Sequence, residues 1–200
     1  MRLLVSVAIA ALAATPIAAQ QVTGRPAGNF RLMDTDGKAV TLGQFKGRPV
    51  VLEWNNPGCP FVQKHYDSGN MQAAQAKAKA MGAAWLTINS AAPGKQGYMT
   101  GAQAKALIAK EKAQPTAYLL DPQGRVGKGY GAKTTPHMYL IDASGTLVYQ
   151  GGIDDKPTAD KADIAGARNH LLAALGEVKA GKKVSMPEAR PYGCTVKYAD

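Results

Sequence analysis

Residues 49–54, Pro-Val-Val-Leu-Glu-Trp, form a compact and almost continuously apolar run of strand type. A strand with one wet face alternates apolar and polar residues. A run that is apolar on both faces suits a central strand with helices packed above and below. The run has one misfit. Glu53 lies between Leu52 and Trp54, and a carboxylate buried there needs a partner and can carry a raised pKa. The other reading puts it at a sheet edge or against a water-filled space.

The elements around this run follow the same logic. Phe30–Met33 and Ala39–Leu42 flank Asp34-Thr-Asp-Gly37 and predict a hairpin. Pro60 opens a short helix. Asn70–Met81 is a clearer one, with Met71, Ala74, Ala78 and Met81 at helical spacing and Gly82 as its stop. Ala83–Ile88 is the next strand, a polar loop follows to Tyr98, and Thr100 caps a helix through Lys112. Pro115–Leu120, His137–Ile141 and Thr146–Tyr149 read as strands. A last helix spans about Lys161 to Lys179, with Ile164, Ala167, Leu171, Leu175 and Val178 as its buried stripe. Strands alternating with helices, then a terminal hairpin and helix, predict an α/β fold with a mixed central sheet between helical layers. In such sheets chemistry gathers beyond the carboxyl ends of the parallel strands, so the loops after Trp54 and Ile88 are expected side by side.

The first twenty residues stand apart. One cation at Arg2, an apolar run from Leu3 to Ala14 and then small residues have the form of a secretory signal peptide, with cleavage after Ala18, Ala19 or Gln20. An uncleaved anchor is the alternative, though the run is short for a membrane span. The organisation expected is a leader at 1–20, a polar linker at 21–29, one domain at 30–180 and a tail at 181–200. The expected location is the periplasm or the exterior. There disulfides form and persist, which bears on the two cysteines, Cys59 and Cys194.

The net charge is +10, and loss of the leader removes only Arg2 from the cations. No cluster of basic residues interleaved with aromatics is present, so nucleic acid is excluded as a partner. Solvated helix faces carrying Lys77, Lys79, Lys105, Lys110 and Lys112 account for most of the charge. The glycine-rich stretch Gly124–Gly131 and Pro93-Gly-Lys-Gln96 fit no nucleotide-phosphate loop.

The chemistry concentrates in Asn56-Pro-Gly-Cys-Pro-Phe-Val-Gln-Lys-His-Tyr66. Cys59 follows a strand and precedes a helix-opening proline. It therefore sits where unpaired N–H groups and the helix dipole favour a thiolate. Lys64 and His65 lie one turn further on. Val62 occupies the place of the second cysteine of a Cys-x-x-Cys pair. Downstream, Thr134-Thr-Pro-His137 precedes a strand that proline can only start or edge, and a cis Thr135–Pro136 bond is expected there.

These features together resemble the thioredoxin-fold redoxins. The strand ending in Trp54, the Cys59-Pro60 helix start, Lys133-Thr-Thr-Pro-His137, Phe45-Lys-Gly-Arg48 and Gly193-Cys-Thr-Val-Lys197 are similar to the exported peroxiredoxin-like branch, and the likeness covers roughly Phe30 to Gly176. The resemblance implies a three-layer thioredoxin-like fold with an N-terminal β-hairpin and Cys59 as nucleophile. It implies a substrate platform at Thr135 and Pro136, where a partner's cysteine segment adds as a strand. Pro60 and Trp54 flank that surface; Trp54, with Trp85, also reads as a core strand residue. Cys194 is then the internal candidate for a resolving thiol, provided that the two Cα atoms approach within about 7 Å. The departures matter as much. The peroxiredoxin pattern P-x-x-x-T-x-x-C meets Leu52 and Asn56 in place of its proline and threonine, and no arginine occurs from Thr134 to Tyr139. Thiol–disulfide exchange is thereby favoured over peroxide reduction.

Three further readings stay open. A permanent Cys59–Cys194 disulfide would pin the tail and stabilise by roughly 4–5 kcal/mol in the chain-entropy picture. His65 and His137 are each read as surface or capping residues when taken alone. Together with Cys59 they are also soft or borderline ligands for copper or zinc, although no metal ligand set is assigned. No organic cofactor is implied. The expected partners are a protein disulfide or a peroxide as substrate, and an external thiol donor or membrane thiol reductase.

Overall fold

A computed structural model of the chain describes residues 21–199. The expected leader lies outside the described residues.

The central sheet has seven strands: β1 (Arg31–Asp34), β2 (Ala39–Thr41), β3 (Val50–Trp54), β4 (Ala84–Asn89), β5 (Ala117–Leu120), β7 (His137–Ile141) and β8 (Leu147–Gly151). Their spatial order is β2-β1-β5-β4-β3-β7-β8. β3 pairs in parallel with β4, and β4 with β5, while β7 runs antiparallel to β3 and β8 antiparallel to β7. β3 is thus central, as its unbroken apolarity requires, and all five of its residues are buried. A separate two-stranded sheet joins β6 (Thr134–Thr135) to β9 (Cys194–Thr195).

The pleat divides the sheet's side chains between two cores. Val51, Trp85, Met138 and Leu140 face one core, covered by α1 (Pro60–Asp67), α2 (Asn70–Ala80) and α5 (His170–Lys179). Val50, Leu52, Trp54, Leu86, Ile88 and Tyr139 face the other, with Val126 and Tyr130 of α4 (Arg125–Tyr130). Two residues per strand repeat put Glu53 on the first face, beneath α1. A further helix, α3 (Gly101–Glu111), is held at its start by a capping box between Thr100 and Gln103. Helices on both faces of a mixed sheet, with an N-terminal hairpin, make a three-layer thioredoxin-like α/β fold.

Four expectations need correction. Residues 21–29 are no free linker: Gly24 N–H bonds the Leu147 carbonyl, Leu147 N–H the Arg25 carbonyl, and Pro26 bridges to Thr146, so the segment lies along the start of β8. The last helix is broken. Lys161–Gly166 is a 3-10 turn, Asn169 caps α5 by accepting from Leu172 N–H, and of the expected stripe only Leu171 and Leu175 are buried. No element is expected at the glycine-rich stretch, yet Arg125–Tyr130 is helical. Its glycines make room for the tail: a Cβ at Gly127 would stand 2.5 Å from the Tyr198 hydroxyl. Finally, the tail has regular structure in β9, which pairs with a strand that hydrophobic periodicity does not reveal.

Candidate active site

Cys59 is the N-cap of α1, with Pro60 at the first helical position. Proline is well suited there because its missing N–H would have had no partner in the helix. The backbone runs from β3 into a tight loop in which Cys59 N–H bonds the Asn56 carbonyl. The Cys59 side chain is fully buried, and its sulfur lies 3.1 Å from the Thr135 carbonyl oxygen. The Thr135–Pro136 bond is cis. Pro60, by contrast, is exposed at the helix start.

β9 brings the second cysteine to the same place. Its antiparallel register sets Thr135 opposite Cys194 and Thr134 opposite Thr195. Val196 N–H adds a bond to the Lys133 carbonyl at 3.1 Å. Cys59 and Cys194 are both free thiols, and Cys194 packs against the buried cluster that contains Cys59. Burial raises the Cys59 thiol, but donors from Cys194, Thr135 and the Cys194 and Val62 backbone outweigh it and hold the pKa below the ordinary cysteine value. Burial and the neighbouring Cys59 push Cys194 up to about 11. One thiol is therefore prepared to ionise while the other keeps its proton and donates it.

The flanking residues expected to assist are drawn elsewhere. Lys64 is fully buried; its ammonium donates to the Lys156 carbonyl at 2.9 Å and lies 5.9 Å from the centre of the Tyr192 ring. His65 is buried too, not a surface residue. Its Nε2 meets the Tyr192 hydroxyl at 3.2 Å and its Nδ1 the Asn70 amide at 2.7 Å. The amide donates to Nδ1, which leaves the proton on Nε2. Tyr192 in turn donates to Asp154 Oδ1 at 2.5 Å. Burial, with Lys64 adding to it and Asp154 opposing, takes the His65 pKa down to about 4. His137 is also buried. It stacks on Tyr139 at 4.6 Å, with Nδ1 within 3.2 Å of that hydroxyl, and burial lowers its pKa to about 3. Neither imidazole is hydrogen-bonded to Cys59, and among the described residues no group of three or more His, Cys, Asp or Glu can hold a metal ion.

Trp54 does not reach the platform. It is fully buried in the second core, donates Nε1–H to Ser90 Oγ at 3.1 Å and packs 5.0 Å from Tyr139. Glu53 is likewise fully buried, not at an edge or in a wet space. Its carboxylate accepts from Tyr66 OH at 2.8 Å, Trp85 Nε1 at 2.8 Å, Thr87 Oγ1 at 3.0 Å and Asn55 Nδ2 at 3.0 Å. Four neutral donors supply what a cation would otherwise provide. Asn56 is committed within the loop. Its Oδ1 accepts from Gly58 N–H at 2.9 Å, and its Nδ2 donates to the Gln96 side chain at 3.0 Å. Gln96 Nε2 closes the ring on the Gly58 carbonyl at 2.6 Å, joining the loop after β3 to the loop after β4. Their adjacency is the one expected from topology.

Tyr192, Asp154 and Gln96 were not apparent as site residues in the sequence. Tyr192 alone carries a signal: it stands two residues before Cys194, on the same side of an extended segment.

A model of the family described as Redoxin matches residues 22–168. Peroxiredoxin Q, chloroplastic, from Oryza sativa subsp. japonica is 29% identical over 137 residues, covering 63% of this chain and 57% of that protein. The Triticum aestivum protein of the same name is 30% identical over 132 residues, covering 60% and 54%. The chain thus spans little more than half the length of these curated relatives. Among solved structures, a hypothetical protein from Sinorhizobium meliloti 1021 aligns with a TM-score of 0.76 at 26% identity, over 90% of this chain and 97% of that one. A protein from Chlorobium tepidum assigned as thiol:disulfide interchange protein DsbE aligns with a TM-score of 0.57 at 28% identity, over 78% and 100%. With a family model matched along most of its length, the chain belongs to the redoxin family.

Proposed function

We propose that this protein is an exported thiol-dependent oxidoreductase that carries out thiol–disulfide exchange through Cys59. The thiolate of Cys59 attacks one sulfur of a substrate disulfide, and the other sulfur leaves as a thiolate. Cys194 then attacks the Cys59 sulfur of the mixed disulfide. Its proton passes to the departing substrate sulfur, and the thiolate released first takes a proton from water, so the substrate is reduced to two thiols and a Cys59–Cys194 disulfide remains. An external dithiol donor, soluble or held in a membrane, returns the pair to the reduced state.

The pairing of Cys194 with Thr135, which brings its thiol against Cys59, is the observation that carries this reading. It supplies a partner for a helix start that has Val62 where a second cysteine would stand. Export rests on the leader-like residues 1–20 and suits a pair that must hold a disulfide. A mature N-terminus at residue 19, 20 or 21 on the protein recovered from outside the cytoplasm is the expected result.

Peroxide reduction is the second reading, favoured by the peroxiredoxin Q relatives. There Cys59 becomes a sulfenic acid, and Cys194 condenses with it and releases water. Against it stand the hydrogen bonds that occupy the Asn56 side chain and the missing arginine at 134–139. The deciding experiment mixes the reduced protein with a protein disulfide and, separately, with hydrogen peroxide. Formation of the Cys59–Cys194 bond is followed by mass. Faster reaction with the disulfide and a reduction potential above about −250 mV are expected. A bond that resists reduction below about −300 mV would make it a structural staple and end the oxidoreductase reading.

A further inference from the structure

The Cys59 sulfur has no exposed surface, yet a nucleophile must meet its target in line. Something has to move before any partner can be attacked. β3 and α1 are core elements whose side chains fill one or other of the two cores. β9 is different: it is two residues long, and Thr195 is exposed. Its backbone is held by the β6 pairing, Val196 N–H to the Lys133 carbonyl, and Ala92 N–H to the Lys197 carbonyl at 2.8 Å. Thr135 Oγ1, the Tyr198 hydroxyl and Lys128 Nζ add bonds to the Cys194, Ala132 and Ala199 carbonyls at 3.4, 2.8 and 3.1 Å, and Tyr192 is buried just upstream. A segment paired only at an edge, outside the central sheet, can open locally without global unfolding.

The edge that β9 covers is chemically specific. When β9 leaves, Lys133–Thr135 becomes an unpaired strand edge directly beside Cys59, of the kind that accepts an extended peptide. The tail itself records what fits. Gly193 has φ +121, and a Cβ there would lie 2.1 Å from the Thr135 carbonyl oxygen. Only glycine can precede the cysteine in this register. Tyr192, one residue earlier, reaches Asp154 and His65.

We propose that the tail is a gate seated in the substrate's place: Cys59 meets a partner only after Gly193–Val196 unpairs from Lys133–Thr135, and the vacated edge then takes, in the register of β9, an extended protein segment whose cysteine follows a glycine. This rests on the exchange reading above and adds an order of events to it. The tail leaves, the partner's strand binds and reacts, and the returning tail delivers Cys194 for the resolving attack.

The test uses the full chain in a Cys194→Ser background, so that Cys59 is the single thiol. Iodoacetamide alkylation is timed at a pH where that thiol is fully ionised. Gly193→Val introduces the clash with Thr135, and Val196→Pro removes the N–H that bonds Lys133 by an independent route. Both variants are expected to alkylate faster than the parent, by about tenfold or more. The peptide Arg-Pro-Tyr-Gly-Ser-Thr-Val-Lys-Tyr should then restore slow alkylation in either variant, and the same peptide with valine for glycine should not. Parental rates in both variants would overturn the gate. Equal protection by the two peptides, or by neither, would overturn the glycine-selecting edge. Neither readout needs turnover. A protein that passes these tests but never forms the Cys59–Cys194 bond would fail the exchange reading alone.

Discussion

Thr135 and Cys194 face each other across the β6–β9 pair, and the carbonyl of the same Thr135 lies 3.1 Å from the Cys59 sulfur. One residue therefore holds both cysteines, one through its strand pairing and the other through its carbonyl. Cys194→Ser keeps the strand but removes the second sulfur. Reaction with a protein disulfide should then stop at a mixed disulfide on Cys59, seen as an adduct of the partner's mass that dithiothreitol releases. Cys59→Ser should form no adduct. An adduct on Cys194 in the Cys59→Ser protein would reverse the assignment of roles.

The two thiols should titrate apart. Burial acts to raise both, but the donors around Cys59 bring it below the ordinary value, while Cys194 stands at about 11. Thiolate absorbance of the reduced protein should rise in two steps, the first below the usual cysteine range and the second near 11. As pH falls through the first step, the rate of attack on a disulfide should fall with the thiolate fraction. Cys194→Ser should lose the upper step and keep the lower. Two thiols titrating together at the ordinary value would contradict this asymmetry.

Much of this site was legible in the sequence because it depends on local rules. A strand apolar on both faces, a proline after the cysteine and a threonine before a strand-opening proline each constrain their own few residues. They locate Cys59 at a helix N-cap and Thr135 beside it. The fates of Lys64, His65 and His137 were not legible, because they depend on what packs across from them. His65 and Lys64 meet Tyr192, more than a hundred residues away, through a tail with no periodic signal. α4 was hidden for a related reason. Its glycines lower helix propensity, and the Tyr198 ring packed against them is a tertiary fact. Trp54 illustrates the opposite case: the core reading of a strand tryptophan was sound, and a place for it on the substrate surface was not.

Glu53 should be a stability residue. Its carboxylate satisfies Tyr66, Trp85, Thr87 and Asn55, all in a region closed to water. Glu53→Ala strands these donors, and at about 1 kcal/mol for each the loss is roughly 3–5 kcal/mol. Urea denaturation should show a lower midpoint with an unchanged slope. Glu53→Gln should cost less, since one oxygen survives to accept. A variant within about 0.5 kcal/mol of wild type would mean that the four bonds contribute nothing net.

The buried histidines should make the fold acid-sensitive above the range where carboxylates titrate. An unfolded histidine titrates near 6.5. Burial holds folded His65 near 4 and His137 near 3. Between these values the unfolded chain binds more protons, so stability is present above pH 6.5 and falls as pH drops toward 4. Each histidine contributes up to about 3 kcal/mol to this loss. Glu111 opposes it: burial raises its folded pKa to about 7, so the folded chain gains a proton between pH 7 and the ordinary glutamate range. Asp121, whose pKa burial also raises, opposes it in the same sense, so the His65 contribution is read from the variant and not from the net slope. His65→Gln replaces the imidazole beside Tyr192 with a group that does not titrate, and it should flatten the decline measured by urea unfolding at pH 7 and pH 5. An unchanged slope in that variant would show that His65 takes up its proton in the folded state, as Asp154, 4.0 Å from it, would permit if burial mattered less.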